Sequence, residues 1–370
     1  MRLRLILGGL LLLVALAAGV AWVERMPLLS WYYLRGLTRA DDKDVSLWQQ
    51  RVVALDATAP RGLINCLRHN DPRACNRAGA CLIEICTSRA ANDPGHLRLA
   101  VELARAFPAL STSGQTTALE VETSLMSTAE GQSLAALSPV VARTLTTASR
   151  GAKKEVRASA LALAVNLLNR HGEGEVLQAC REVAKTCLGD ESATTRIGAI
   201  RLCMRPEIDL LECVVPLLSD PEPEIRRCAL LAVGMSQTAI NTDDLLPWLH
   251  DPDAGVRNLC EEALRGRGLH DGHLKLARLM TDGRPGTRLG VLELLEHAND
   301  LEPGLWLRRL SHDPSPAVRA AAVRAACAQA TGLTDRLQQM SQNDPSPTVR
   351  QLAQYYLSAP KGLEPDSDAP

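Results

Sequence analysis

Carboxylates and guanidiniums recur at a fixed spacing along the C-terminal half of this sequence, and any repeated chemistry has to start from them. Asp220 and Arg226, Asp251 and Arg257, Asp282 and Arg288, Asp313 and Arg319, and Asp344 and Arg350 each read Asp, five residues, Arg, and each copy follows the last by 31 residues. Asp190 and Arg196 add a copy one residue out of phase, and Asp71 with Arg77 add a remote one. Arg157 keeps the arginine, with Gly151 where the acid should be. Carboxylates can act as general acids or bases and arginines can clamp anions, but a catalytic site needs one unique constellation. A pair repeated in every unit points to structure, with each Asp accepting backbone N–H bonds as a helix N-cap.

The other chemistry-bearing residues are sparser. Cys66, Cys75, Cys81 and Cys86 are the densest group among 11 cysteines. Their separations lack the paired C-x-x-C of a zinc ribbon, and core packing is favoured over a single disulfide or a metal site. His270 and His273 flank an Asp in "HDGH", with no third histidine or cysteine near them in the chain. No glycine-rich phosphate loop, H-E-x-x-H helix or G-x-S-x-G elbow occurs. No catalytic residue and no cofactor is therefore expected.

The elements that carry the Asp and Arg columns follow from the residues around them. Pro221, Pro252, Pro314 and Pro345 directly follow their Asp, the place where a first helical residue needs no N–H. Ile225, Cys228, Ala229, Ala232 and Val233 then recur as Val256, Leu259, Cys260, Ala263 and Leu264, and as Val318, Ala321, Ala322, Ala325 and Ala326. That is one face of an α-helix. A shorter apolar run, such as "DDLLPWLH" or "PGLWLRRLS", precedes each Asp. Each unit is thus a helix pair that must stack on its neighbours to bury its faces. The expected fold is an all-α solenoid of stacked antiparallel pairs, roughly nine repeats over residues 58–358 and most regular over 207–358.

The phrase resembles that of HEAT-repeat proteins, and in particular a short HEAT-like subclass also seen in bilin lyase subunits. The resemblance implies that Asp190, Asp220, Asp251, Asp282, Asp313 and Asp344, with Arg196, Arg226, Arg257, Arg288, Arg319 and Arg350, form a ladder of hydrogen bonds between successive repeats. HEAT-like hydroxylases that bind two irons carry repeated His-Glu pairs. This chain has no such dipeptide, and Glu296-His297 is reversed.

The N-terminus reads differently. Leu5 to Val23 carry no charge, and 19 residues in a helix span about 28 Å, close to a bilayer's hydrocarbon thickness. Trp22, Trp31, Tyr32 and Tyr33 are rings suited to a membrane interface. Residues 1–24 are expected to form a single-pass anchor with the array on the extracytoplasmic side. A cleaved signal, releasing a secreted or periplasmic body, is the alternative. Residues 25–57 are expected to hold a juxtamembrane segment and a capping helix over Ala40–Ala57 started by Asp41 or Asp42, and residues 359–370 a disordered acidic tail.

With 41 Lys and Arg against 42 Asp and Glu, the chain offers no general basic field, so no nucleic-acid partner is expected. The expected function is a membrane-tethered, non-enzymatic scaffold with a protein partner. The alternatives are a bilin-lyase-like enzyme or chaperone subunit and a HEAT-like DNA-binding protein.

Overall fold

A core with a single phenylalanine, Phe107, must be filled by Ala, Leu and Val, and small side chains suit helices whose backbones approach closely. The computed structural model describes residues 25–151, 153–170, 172–297, 302–328 and 332–358; they contain helices and no strand. They fall into two units divided at Val214 and Val215.

The first unit opens with α1 (Arg25–Arg39) and α2 (Val45–Val53). It continues with α3 (Ala59–Cys66), α4 (Pro72–Thr87), α5 (Pro94–Ala106), α6 (Thr112–Thr128), α7 (Gly131–Gly151), α8 (Lys154–Arg170), α9 (Gly174–Leu188) and α10 (Ala193–Cys203). From α3 onward the helices pair, and α4, α6 and α8 stack in one layer while α5, α7 and α9 stack in the other. Glycine sets the spacing at two of these contacts. A Cβ on Gly114 would lie 1.9 Å from the Leu67 carbonyl oxygen, and one on Gly79 would lie 2.2 Å from Thr117 Cγ2. The capping helix is shorter than the sequence suggested. It starts at Val45, and Asp42 instead pairs with Arg77 at 3.0 Å.

The second unit contains α11 (Pro223–Val233), α12 (Thr242–Leu245), α13 (Ala254–Gly266), α14 (Asp271–Thr281), α15 (Pro285–His297), α16 (Pro303–Leu310), α17 (Pro316–Ala328), α18 (Thr334–Asn343) and α19 (Pro347–Ser358). Two of the short apolar runs are 3-10 rather than α-helical, over Leu211–Ser219 and Leu246–His250. Each contains a proline, Pro216 or Pro247, which removes a donor that an α-helix would use. The apolar face read from the sequence is buried at Ile225, Ala229 and Val233, at Val256, Cys260 and Leu264, and at Val318, Ala322 and Ala326. Val323 lies outside that stripe. It packs with Leu337, Met340, Val349 and Ala353 of the following pair, so the second helix of a repeat buries two faces, one inward and one onward.

No helix among the described residues is long and apolar enough to cross a membrane. The anchor proposed for Leu5–Val23, with Trp22, lies outside the described residues, as does the acidic tail.

One buried group works against the core that holds it. Glu122 on α6 is fully buried, and only its Oε1 is satisfied, accepting a 2.9 Å bond from Thr144 Oγ1 on α7. Burial drives its pKa well above the ordinary carboxylate value, and the Thr144 hydroxyl only partly opposes this. A folded pKa above the unfolded one makes the contribution of this group fully present below about pH 4.5 and lost as pH rises toward the folded value. Glu122→Gln keeps the shape and removes the charge. Its denaturant midpoint is expected to exceed that of the parent by a margin that widens as pH rises from 4.5 to 8; an equal margin at every pH would contradict this.

Candidate functional site

The Asp and Arg columns occupy the turn between the two helices of each repeat, and their geometry is the same in most copies. Each Asp stands two residues before the N-cap, not at it. Asp220, Asp251, Asp282, Asp313 and Asp344 accept through Oδ1 from the N–H of Glu222, Asp253, Arg284, Ser315 and Ser346 at 2.7–3.0 Å. The helix then starts one residue later, so the proline at its first turn is Pro223, Pro285, Pro316 or Pro347, and not the proline that follows the Asp. The acid closes a turn on itself whatever residue intervenes, proline in four copies, Gly283 after Asp282, and Glu191 after Asp190, whose Oδ1 accepts from the Ser192 N–H at 2.7 Å. Asp71 and Asp93 in the first unit are direct N-caps.

Arg226, Arg288 and Arg319 each divide the guanidinium between two repeats. Nη1 donates back to the carbonyl of its own Asp, at 2.8 Å for Arg196, 2.9 Å for Arg226, 2.7 Å for Arg257, 2.8 Å for Arg288 and Arg319, and 2.6 Å for Arg350. Nε and Nη2 donate forward to both carboxylate oxygens of the next Asp. Arg226 reaches Asp251 at 2.8 and 2.8 Å, Arg288 reaches Asp313 at 2.6 and 2.8 Å, and Arg319 reaches Asp344 at 2.8 and 2.8 Å. Arg157 Nε donates to Asp190 in the first unit in the same sense. These pairs are almost fully shielded; side-chain exposures are 8% and 5% for Arg288 and Asp313.

Burial alone would raise the carboxyls of Asp251 and Asp344, but the bonds from Arg226 and Arg319, with those from the turn amides, hold both below the usual range. Their stabilising effect is therefore present above the unfolded value, near pH 3.8, and is lost as pH falls further.

The ladder has a gap. Arg257 bonds only the carbonyls of Asp251 and Pro252, and the Asp282 carboxylate is taken by Arg284, whose Nε and Nη2 lie at 3.3 Å. Stacking between α13 and α15 is correspondingly weak beside that of α11 on α13 or α17 on α19. The sequence carries the cause: this copy reads Asp282-Gly283-Arg284 where the neighbours on either side read Asp-Pro followed by an acid or a serine. Arginine at that position competes for the acid, while the turn itself still closes through the Arg284 N–H on Asp282 Oδ1 at 2.8 Å.

A second set of arginines was not visible as a column. Arg267 donates to the carbonyls of Gly234, Ile240 and Ser236 at 2.6, 2.9 and 2.8 Å, and Arg336 donates to the carbonyl and hydroxyl of Ser311 at 2.8 Å. They satisfy carbonyls freed at helix ends. Arg77, read above as a partner column for Asp71, points back to the Leu37 and Ala40 carbonyls at 3.1 and 2.9 Å.

The remaining candidates resolve into local structure. Cys75, Cys81 and Cys86 are buried, Cys66 is half-buried, and none of the four is in a disulfide. Burial raises the Cys81 and Cys86 thiols to about 12, so neither forms a thiolate near neutrality. His270 and His273 cap the start of α14 reciprocally, and the His273 ring lies 6.0 Å from Trp306. No group of three potential metal ligands occurs among the described residues.

The first unit does contain an open cleft of about 1140 Å³, between α1, α3, α5 and the loops beside them. Arg35, Arg39, Arg61, Arg89 and Arg98 line it against Asp71 and Glu102. Arg61 pairs with Glu102 at 3.2 Å and Arg89 with Asp56 at 2.6 Å. Arg35, Arg39 and Arg98 have no carboxylate within salt-bridge distance among the described residues, and Arg35 lies over the Trp31 ring at 5.1 Å. In the second unit, Leu231 and Met235 on and beside α11 are exposed by 59% and 60%, one helical turn apart.

Residues 181–265 match the family model for HEAT repeats. No curated protein matches the chain. Among solved structures, a crystal structure of an engineered protein from a structural genomics consortium is 16% identical, with 89% of this chain and 98% of that one covered, at a TM-score of 0.39. The family match supports a HEAT-repeat protein, and it includes the Asp190, Asp220 and Asp251 turns.

Asp313→Asn removes one partner of a buried ion pair and leaves Arg288 uncompensated, so an equilibrium unfolding loss of about 3–5 kcal/mol is expected. Asp282→Asn, which strands no buried arginine, is expected to cost clearly less in the same measurement. Replacing the gap sequence by that of the next copy, G283P/R284S, is expected to release Asp282 to Arg257 and raise the melting temperature by roughly 2–4 °C; an unchanged or lower value would contradict this account of the gap.

Proposed function

We propose that the chain is a non-enzymatic HEAT-repeat scaffold, held at a membrane by residues 5–23, whose array binds another protein. The observation that carries the reading is where the repeated polar groups go. Carboxylates and guanidiniums are consumed in joining one repeat to the next, and the family match falls on those same turns. Such an array presents helix ends and ridges over a long surface, which suits protein recognition more than it suits enclosing a small substrate. Leu231 and Met235 are large apolar side chains left open one helical turn apart on the second unit, and they form the candidate centre of the partner face. The membrane link rests on the uncharged run from Leu5 to Val23, which includes Trp22, and on the exposed rings of Trp31 and Tyr32 close behind it; Tyr33 is half-buried in the first unit.

Full-length protein in its native membranes is expected to resist alkaline carbonate extraction, with the repeat array shielded from protease added on the cytoplasmic side. A photo-crosslinker at Leu231 is expected to yield one discrete adduct that Met235→Asp abolishes. Complete release by carbonate would remove the tether, and a Leu231 adduct indifferent to Met235→Asp would remove the partner face.

A further inference from the structure

Helix α1 has two sharply different faces. Ser30, Tyr33, Leu34 and Leu37 are buried or half-buried against the body of the first unit. The opposite face carries Leu28, Trp31, Tyr32, Arg35 and Arg39, all exposed, with Leu28 at 59%, Trp31 at 58% and Tyr32 at 54%. At 100° per residue these five fall within one stripe. An outer face of this composition is poorly explained by water alone. It pairs large apolar and aromatic side chains at its start with arginines farther along, the composition of a helix lying in a membrane interface. The same arginines line the cleft, where Arg98 from α5 joins them, and these three lack carboxylate partners among the described residues. The stripe begins five residues after the uncharged run that ends at Val23.

We propose that this face and the cleft behind it bind the headgroups of anionic phospholipids. Leu28, Trp31 and Tyr32 enter the interface, and Arg35, Arg39 and Arg98 take the phosphates as hydrogen-bonding guanidiniums. The proposal rests on the membrane-tethered reading above for the source of its ligand: residues 5–23 would hold the cleft at a headgroup layer. It adds that the first unit is oriented by that layer and does not hang freely from a linker.

The probe is dihexanoyl phosphatidylglycerol kept below its micelle concentration and titrated into the full chain in nonionic detergent. Saturable binding is expected, weakening as salt is raised, and R35Q/R39Q/R98Q is expected to weaken it on the order of 100-fold, each arginine contributing several-fold. The three side chains are exposed and make no ion pair among the described residues, so the variant should keep the parent melting temperature; Trp31→Ala, expected to weaken binding several-fold, gives a second readout that leaves the net charge unchanged. Equal affinity for inorganic phosphate would make the cleft a free-anion site and overturn the lipid assignment. Binding of a polyglutamate peptide with no effect of the lipid would overturn it in favour of an acidic protein segment, and absence of any binding would overturn it outright. Because detergent holds the chain whatever residues 5–23 do in a bilayer, lipid binding can fail while carbonate resistance stands, and carbonate resistance can fail while lipid binding stands.

Discussion

A guanidinium that must satisfy two repeats at once fixes most of this architecture. Its Nη1 is spent on a carbonyl six residues back, which sets the start of its own helix against its own turn. Its Nε and Nη2 are spent on a carboxylate 25 residues ahead, which sets the next turn against this one. Neither half is adjustable, because the fork of donors is planar and rigid. In the regular copies the six residues back and the 25 ahead add up to the repeat length of 31 residues. Small apolar residues then fill what space the bridge leaves, with Ala322, Ala326 and Ala353 buried.

The bridge also explains why the repeated acids are not available for chemistry. An exposed carboxylate column would offer a stripe of similar sites, whereas here Asp251, Asp313 and Asp344 each accept from a turn amide and from the preceding arginine. The copy at Asp282 shows what happens when a competitor is placed beside the acid: the local Arg284 wins by proximity, the bridge from Arg257 is not made, and the stacking of α13 on α15 weakens with it. The first unit's cleft and the outer faces of α1 and α11 are surfaces that the ladder leaves alone.

Much of this was legible in the residues. The periodicity of Asp and Arg and the stripe of Ile225, Ala229 and Val233 located the second helix of each repeat, because both express a 3.6-residue period anchored at a turn. The exact role of the Asp was not legible, since an acid at the N-cap and one two residues earlier differ only in the local backbone path into the helix. The 3-10 form of Leu211–Ser219 and Leu246–His250 was signalled by Pro216 and Pro247, yet the apolar pattern over such short runs does not separate the two helix types. The cleft could not have been read at all: Arg98 on α5 lies 59 or more residues from Arg35 and Arg39 on α1, and only the pairing of helices brings them together.

The central claim is that the rungs couple neighbouring repeats energetically and are not incidental surface pairs. A double-mutant cycle on Arg319 and Asp344, read by equilibrium unfolding, tests it most directly. The account predicts a coupling free energy of about 1–3 kcal/mol for that pair, and none resolvable for the same cycle on Arg257 and Asp282, where the bridge is not made. Additive effects at Arg319 and Asp344, or equal coupling at both pairs, would contradict it.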